Sequence, residues 1–290
     1  CTHMTPSNSW RSELDPERVM QTSVIHWQEG DYYEREDHLT VEEPFEVRIA
    51  HSSLATIMRT PGHDFELALG FLFSEVVIQE ASDVLSLEHE LDPDGLPLPN
   101  VVNVVLRQRE PEGVACTFPA SFERHFVVSA SCGLCGKNSI ADLLQSTPPL
   151  EPDTLRISSS TLYSLPQQLR SQQAVFKHTG GLHAAGLFTA SGEMLLLRED
   201  IGRHNAVDKV IGHGLLHGDY PYKERILMVS GRSSFEIVQK VLLARIPCVA
   251  AISAPSSLAI ELADKCGITL VGFLRDRSMN VYTHPERVSS

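Results

Sequence analysis

The stretch ILMVSGRSSFEIVQKVLLARIPCVAAISAPSSLAIELADKCGITLVGF, residues 226–273, decides the fold. Ile226-Leu227-Met228-Val229 reads as a buried strand and Phe235 to Arg245 as a helix. Pro247 to Ile252 reads as a second strand, Ser257 to Lys265 as a second helix and Ile268 to Phe273 as a third strand. Strand, helix, strand, helix, strand with short connections implies a parallel sheet with right-handed crossovers, hence an α/β fold. Ligands of such sheets bind beyond the carboxyl ends of the strands. Three loops fall there: Ser230-Gly231-Arg232-Ser233-Ser234, Ser253-Ala254-Pro255-Ser256-Ser257 and Leu274-Arg275-Asp276-Arg277-Ser278. Two of them precede helices, whose unpaired N–H groups and partial positive charge suit phosphate. Ser233 and Glu236 have capping-box spacing, so these serines also have a purely local reading. Convergence of the loops with Arg232, Arg275 and Arg277 favours an anion site, for a nucleotide phosphate.

Upstream, Phe45–Ile49 and Leu54–Met58 alternate as half-buried strands do, and Thr60-Pro61-Gly62 is a turn. Phe65, Leu69, Leu72, Phe73 and Val76 follow helical spacing with Asp64 near the start. Val101–Leu106 is a further strand, and Phe126–Ser129 another before a helix over Ile140–Leu144. Residues 1–22 read as a flexible tail, in which Cys1-Thr2-His3 ahead of Met4 carries no functional weight. Ser146–Asp153, with three prolines, is the expected linker.

The 290 residues have ordinary globular composition, 42% hydrophobic and 21% charged. No run nears the roughly 18 apolar residues of a membrane span, and no basic-then-apolar leader opens the chain. A cytoplasmic location is expected. The net charge of −13 is uneven. Residues 1–131 hold 8 Lys/Arg against 23 Asp/Glu, whereas 132–290 hold 16 against 14. Such acidity argues against nucleic acid as a partner.

Three further segments carry chemistry. In Glu199-Asp200-Ile201-Gly202-Arg203-His204-Asn205-Ala206-Val207-Asp208-Lys209, six ionisable side chains crowd eleven residues, and His204 and Asp208 share a helical face. Metal binding, orientation of an imidazole and a plain surface pair all fit that spacing. His178-Thr179-Gly180-Gly181-Leu182-His183-Ala184-Ala185-Gly186 suits a pocket wall where backbone approaches a ligand closely. As a zinc deaminase motif it fails, since Ala185 stands at the general acid/base position and the Cys-x-x-Cys lies upstream. Ser131-Cys132-Gly133-Leu134-Cys135-Gly136-Lys137 is the sharpest signal. Cys-x-x-Cys serves zinc, disulfide exchange or sulfur transfer. Lys137 and an oncoming helix N-terminus favour thiolate, and no second ligand pair is present for a structural metal. Cys116, Cys248 and Cys266 stand singly, the last two in apolar core surroundings.

Together with Phe65–Glu75 (FELALGFLFSE), Ser230-Gly231-Arg232 and Tyr282-Thr283-His284-Pro285, these motifs resemble the formate dehydrogenase accessory sulfurtransferases, the FdhD family, over about residues 40–287. The resemblance implies persulfide transfer from a cysteine desulfurase to the molybdenum cofactor, bis-molybdopterin guanine dinucleotide, before its insertion into the formate dehydrogenase catalytic subunit. By resemblance Cys132 holds the persulfide and Cys135 assists or resolves it. The guanine nucleotide, with GDP as a partial mimic, lies against Phe273, Leu274, Arg275, Asp276, Arg277 and Ser278. Ser230, Arg232, Ser233, His183, Asp200, Arg203 and His204 complete the expected site. The implied carboxyl-terminal domain, residues 137–290, is a three-layer cytidine-deaminase-like unit with a mostly parallel sheet. It follows an α+β domain, residues 23–136, that ends in the Cys-x-x-Cys loop. A homodimer is implied, and no structural metal is expected. The alternative from another class is a cofactor chaperone that binds and delivers without covalent chemistry.

Overall fold

The structure, a computed structural model, describes residues 15–107, 126–128, 143–144 and 147–290. The decisive stretch folds as read: β11 (Arg225–Val229), α5 (Phe235–Leu243), β12 (Cys248–Ala251), α6 (Ser257–Cys266) and β13 (Thr269–Arg275). β11, β12 and β13 pair in parallel. The sheet as a whole is nevertheless mixed, not mostly parallel. β9 (His183–Thr189), β10 (Met194–Asp200) and β14 (Ser278–Thr283) join it by antiparallel pairing, giving the order β10-β9-β11-β12-β13-β14. Tight turns at both flanks allow these strands to fold straight back, which needs no crossover helix.

Strand alternation splits the core between the two faces of this sheet. Leu227, Val229, Val249, Ala251 and Leu270 pack with α4 (Arg203–His217), α5 and α6. Ile226, Met228, Cys248, Ala250 and Val271 face the other way, onto Leu162, Leu165 and Leu169 of α2 (Ser159–Gln172). The result is helix, sheet, helix. A short α3 (Ala174–Thr179) follows α2. Cys248 and Cys266 are buried thiols, pushed by burial to pKa values of about 12 and 11.

A second sheet has the order β5-β6-β3-β4-β7, from β3 (Glu43–Ile49), β4 (Ser52–Arg59), β5 (Val84–Leu91), β6 (Pro97–Leu106) and β7 (Phe126–Val128). Phe45, Val47, Ala55, Ile57, Val102 and Val104 belong to the same hydrophobic cluster as α4 and Leu270. The link is α1 (Asp64–Ser74), where nine successive residues from Glu66 to Ser74 are buried. A helix buried all round lies between two layers. Gly70 of α1 abuts the Asp208 backbone carbonyl of α4, and Gly212 of α4 abuts the Glu66 carbonyl, so neither position has room for a Cβ. The helices meet backbone to backbone.

The expected tail ends earlier than residue 22: β1 (Val19–Gln28) pairs antiparallel with β2 (Asp31–Thr40). Val19 anchors the hairpin by packing with Val175 and Leu182, while Ile25, Trp27 and Tyr32 stay exposed. The proline-rich stretch, which leads into the short β8 (Ile157–Ser158), is pinned as Arg245 donates to the Pro148 and Pro149 carbonyls and Asp153 pairs with Arg287 at 2.8 Å. Among the described residues no helix is long and apolar enough to cross a membrane.

Candidate functional site

The loops at the carboxyl ends of β11, β12 and β13 converge as read. Ser256 N–H donates to the Ser233 carbonyl at 3.0 Å, and Phe273 N–H donates to the Ser253 carbonyl at 3.2 Å. Phe273 adopts φ 51° and Asp276 φ 53°. Left-handed backbone at non-glycine residues is uncommon and tends to cluster at ligand sites. It marks the bulge that turns β13 into β14.

Beside these loops lies a cavity of about 760 Å³, within the ordinary range of small-molecule sites. One wall carries His183, Ser230, Ile252, Leu274, Arg275 and Asp276. Ser230 is fixed there, since its Oγ accepts from Ala184 N–H at 2.9 Å. His183 stays neutral at physiological pH, because burial and then the Arg203 charge lower its pKa. The opposite wall combines the glycine turn read as a pocket wall with helical residues that the sequence reading did not place. It includes Tyr163, Pro166, Gln167, Arg170, Gln173, Phe176 and the Gly180-Gly181-Leu182 turn. Arg170 lays its guanidinium 3.8 Å from the Phe176 ring centroid, which holds a cation at the cavity edge. Gln173 is 3% exposed and its Nε2 has no hydrogen-bond partner. A buried unpaired donor is costly, so it suits a ligand acceptor. Glu199 supports this wall from beneath, accepting from the Val175 and Phe176 N–H groups at 3.1 and 2.9 Å.

Several expected site residues do other work. Asp200 is fully buried and pairs with Lys209 at 2.7 Å. It also accepts from Gly202 N–H and Asn205 Nδ2, both at 2.8 Å. Lys209 in turn donates to the Thr60 carbonyl at 2.9 Å, and Asn205 to the Met58 carbonyl at 2.9 Å. Asp208 takes Lys240 at 2.7 Å and the Ser74 hydroxyl at 2.6 Å. The dense polar motif is therefore mainly a clasp between the two sheets. Burial pulls the Lys209 ammonium below the ordinary lysine range while Asp200 pushes back. A third clasp joins Glu66 of α1 to Arg198, with its Nη2 at 2.7 Å. Burial alone would raise the Glu66 pKa, but hydrogen bonds from Arg198 and His213 outweigh it and the pKa is lowered.

Arg203 and His183 flank Gly231, and Arg203 Nε lacks a partner. His204 Nε2 lies 3.4 Å from Ser234 Oγ, and burial with the Lys240 and Arg203 charges lowers its pKa to about 4. Neither residue lines the cavity, and neither do Arg232, Ser233, Phe273, Arg277 or Ser278. Arg232, Arg277 and Ser278 point into solvent at the ends of their turns. Ser233 is fully buried with its Oγ unpartnered, and the cap of α5 falls at Ser234 with no side-chain bond, so the capping box is not formed. Cys132 and Cys135 lie outside the described residues.

A solved structure from Desulfotalea psychrophila, provisionally described as a formate dehydrogenase accessory protein, superposes with a TM-score of 0.71. It covers 94% of this chain and 100% of that one at 23% identity, a likeness of fold. The sulfur carrier protein FdhD of Mycolicibacterium paratuberculosis is 46% identical over 91% of this chain and 97% of its own length. That of Nocardia farcinica is 48% identical over 88% and 90%. The archaeal counterpart from Sulfolobus acidocaldarius is 43% identical over 93% and 99%. The model of the FdhD/NarQ family matches residues 40–289. The resemblance read from the motifs is thus borne out, and the chain belongs to the FdhD/NarQ family.

Proposed function

We propose that this chain is a sulfur carrier in formate dehydrogenase maturation, passing persulfide sulfur from a cysteine desulfurase to bis-molybdopterin guanine dinucleotide. One observation carries the reading: relatives named as sulfur carrier proteins align with nearly the whole chain. The cavity at the strand ends supports it from the geometry.

On this reading Cys132 is the acceptor. Its thiolate attacks the terminal sulfur of the donor's persulfide, the donor's S–S bond breaks, and the donor thiolate leaves. No electrons are gained or lost in this loading step; on delivery, attack of the Cys135 thiolate on the Cys132 sulfur breaks the persulfide bond, releases sulfur as hydrosulfide and leaves a Cys132–Cys135 disulfide that holds the balance. Cys135 assists or resolves. The cofactor is the substrate that receives the sulfur, and the cavity residues fit its guanine nucleotide portion. Arg275 and Arg170 offer positive charge to phosphate, and Gln173 Nε2 offers an unspent donor. A volume of about 760 Å³ takes one nucleotide portion and leaves the rest of the dinucleotide outside. The cytidine-deaminase-like description of the carboxyl-terminal domain, a homodimer, a cytoplasmic setting and delivery to the formate dehydrogenase catalytic subunit belong to the same proposal. The helix, sheet, helix order supports the first of these.

Mass spectrometry after incubation with a cysteine desulfurase and cysteine is the direct test. The expected result is one added sulfur on Cys132, absent in Cys132→Ser. A chain that restores formate dehydrogenase activity without ever gaining that sulfur is instead a non-covalent chaperone. Calorimetry with GDP tests the cavity. Arg275→Ala loses a charge-assisted contact of ~1.5–3 kcal/mol, about tenfold or more in affinity, whereas Arg277→Ala changes little. Unchanged GDP affinity in Arg275→Ala removes the nucleotide from this cavity.

A further inference from the structure

The close crossing of α1 and α4 brings a carboxylate from one helix to two imidazoles of the other. Glu66, His213 and His217 each offer a ligand atom, all within 4.8 Å of one another. His213 and His217 stand at i, i+4 and so share one face, with ring centroids 4.3 Å apart. They occupy the last turns of α4, where the carbonyl end of the helix dipole favours a cation. The cluster is closed beneath and open above, because Glu66 is buried, His213 half-buried and His217 exposed. Arg198 grips the carboxylate through Nε on Oε2 at 2.5 Å and Nη2 on Oε1 at 2.7 Å, so Glu66 is held in place.

We propose that Glu66, His213 and His217 form a site for a divalent cation of the Zn²⁺ type. Two imidazoles and one carboxylate, with water in the fourth position, are a standard donor set for that ion. Oxygen-seeking Mg²⁺ or Ca²⁺ is a poor match to two nitrogens. Glu66 Oε1 and His213 Nδ1 already lie 2.9 Å apart, and Arg198 Nη2 stands 3.2 Å from the same Nδ1. The ligand edge of a zinc tetrahedron is about 3.3 Å for bonds near 2.05 Å. The two groups therefore need to part by only about 0.4 Å to admit the ion. His63 Nδ1 also stands 3.5 Å from Glu66 Oε2, on the side of the carboxylate away from His213 Nδ1 and Oε1. The Arg198 charge opposes a dication and keeps the affinity moderate. Bound there, the ion braces α1 against α4, and with them the two sheets.

The test uses the full chain carrying Cys132→Ser and Cys135→Ser, which removes thiolate competition and makes the outcome independent of sulfur carriage. Calorimetry with zinc chloride is expected to give one ion per chain, and zinc to raise Tm. His217→Ala in that background is expected to lose both signals, with affinity falling tenfold or more. Losing even an outer-shell partner commonly costs ~10–100-fold. His217 is exposed, so its replacement leaves the zinc-free urea midpoint in place and a folding defect is recognisable. No stoichiometric zinc at millimolar concentration overturns the proposal, and so does equal affinity in the His217→Ala chain.

Discussion

Asp200→Asn is expected to remove ~3–5 kcal/mol of folding stability, a large share of the 5–15 kcal/mol typical of a domain. The expectation rests on Lys209, whose side chain, like that of Asp200, is 0% exposed, so deleting the carboxylate charge strands an ammonium with no route to water. The Thr60 carbonyl is a neutral acceptor and does not replace that charge. Urea titration of Asp200→Asn, Lys209→Met and the double variant measures this. The double variant should lose much less than the two single losses combined, because a buried pair replaced as a unit leaves no uncompensated charge. The sign of the pH dependence follows from linkage. An unfolded lysine keeps its proton to about pH 10.4, while the folded Asp200→Asn chain gives it up earlier. The unfolded state then binds more protons, so the deficit narrows as pH rises toward 10. A deficit below ~1 kcal/mol at neutral pH would show that the clasp is dispensable.

Gly212→Ala is the second large effect, and two terms of opposite sign compete in it. Alanine in a helix interior gains roughly 0.5–1 kcal/mol over glycine. Against this, the new methyl falls on the Glu66 carbonyl, which is backbone of a buried helix and cannot swing aside. Overpacking costs ~1–3 kcal/mol or more where the neighbour is a flexible side chain, and more where it is not. The net expected loss is ~2 kcal/mol or greater, read as a lowered urea midpoint with the α1–α4 contact loosened. Equal or increased stability would mean that the helices separate freely.

The strand–helix alternation over residues 226–273 was readable because strands covered on both faces are uniformly apolar, as in Ile226–Val229 and Cys248–Ala251. The antiparallel flanks were not. β14 is half-exposed and polar, and β10 ends in Arg198-Glu199-Asp200, charges a strand can bury only because Glu66, the Val175 and Phe176 amides and Lys209 answer them. The hairpin of β1 and β2 hid for a related reason: β2 is exposed over most of its length, and β1 alternates only between exposed and half-buried positions, with apolar residues on both faces. At the site, the rule that ligands meet strand ends located Ser230, Leu274, Arg275 and Asp276, while His183 came from the glycine-rich stretch. It could not supply the opposite wall, because α2 and α3 lie outside the strand–helix repeat. The signal there was faint, Arg170 and Phe176 spaced to stack just ahead of Gly180-Gly181. The crowded motif from Glu199 to Lys209 misled by its density. Its charges answer Thr60, Ser74 and Lys240, and no local pattern announces such remote partners.

The touching backbones at Gly70 and Gly212 also bear on how this chain can be recombined. Since each glycine is the socket for the other helix, a chimera that takes α1 from one relative and α4 from another inherits a joint fitted to neither parent. Grafts should therefore move both helices together, with Asp208 and Glu66 as part of the transplanted unit.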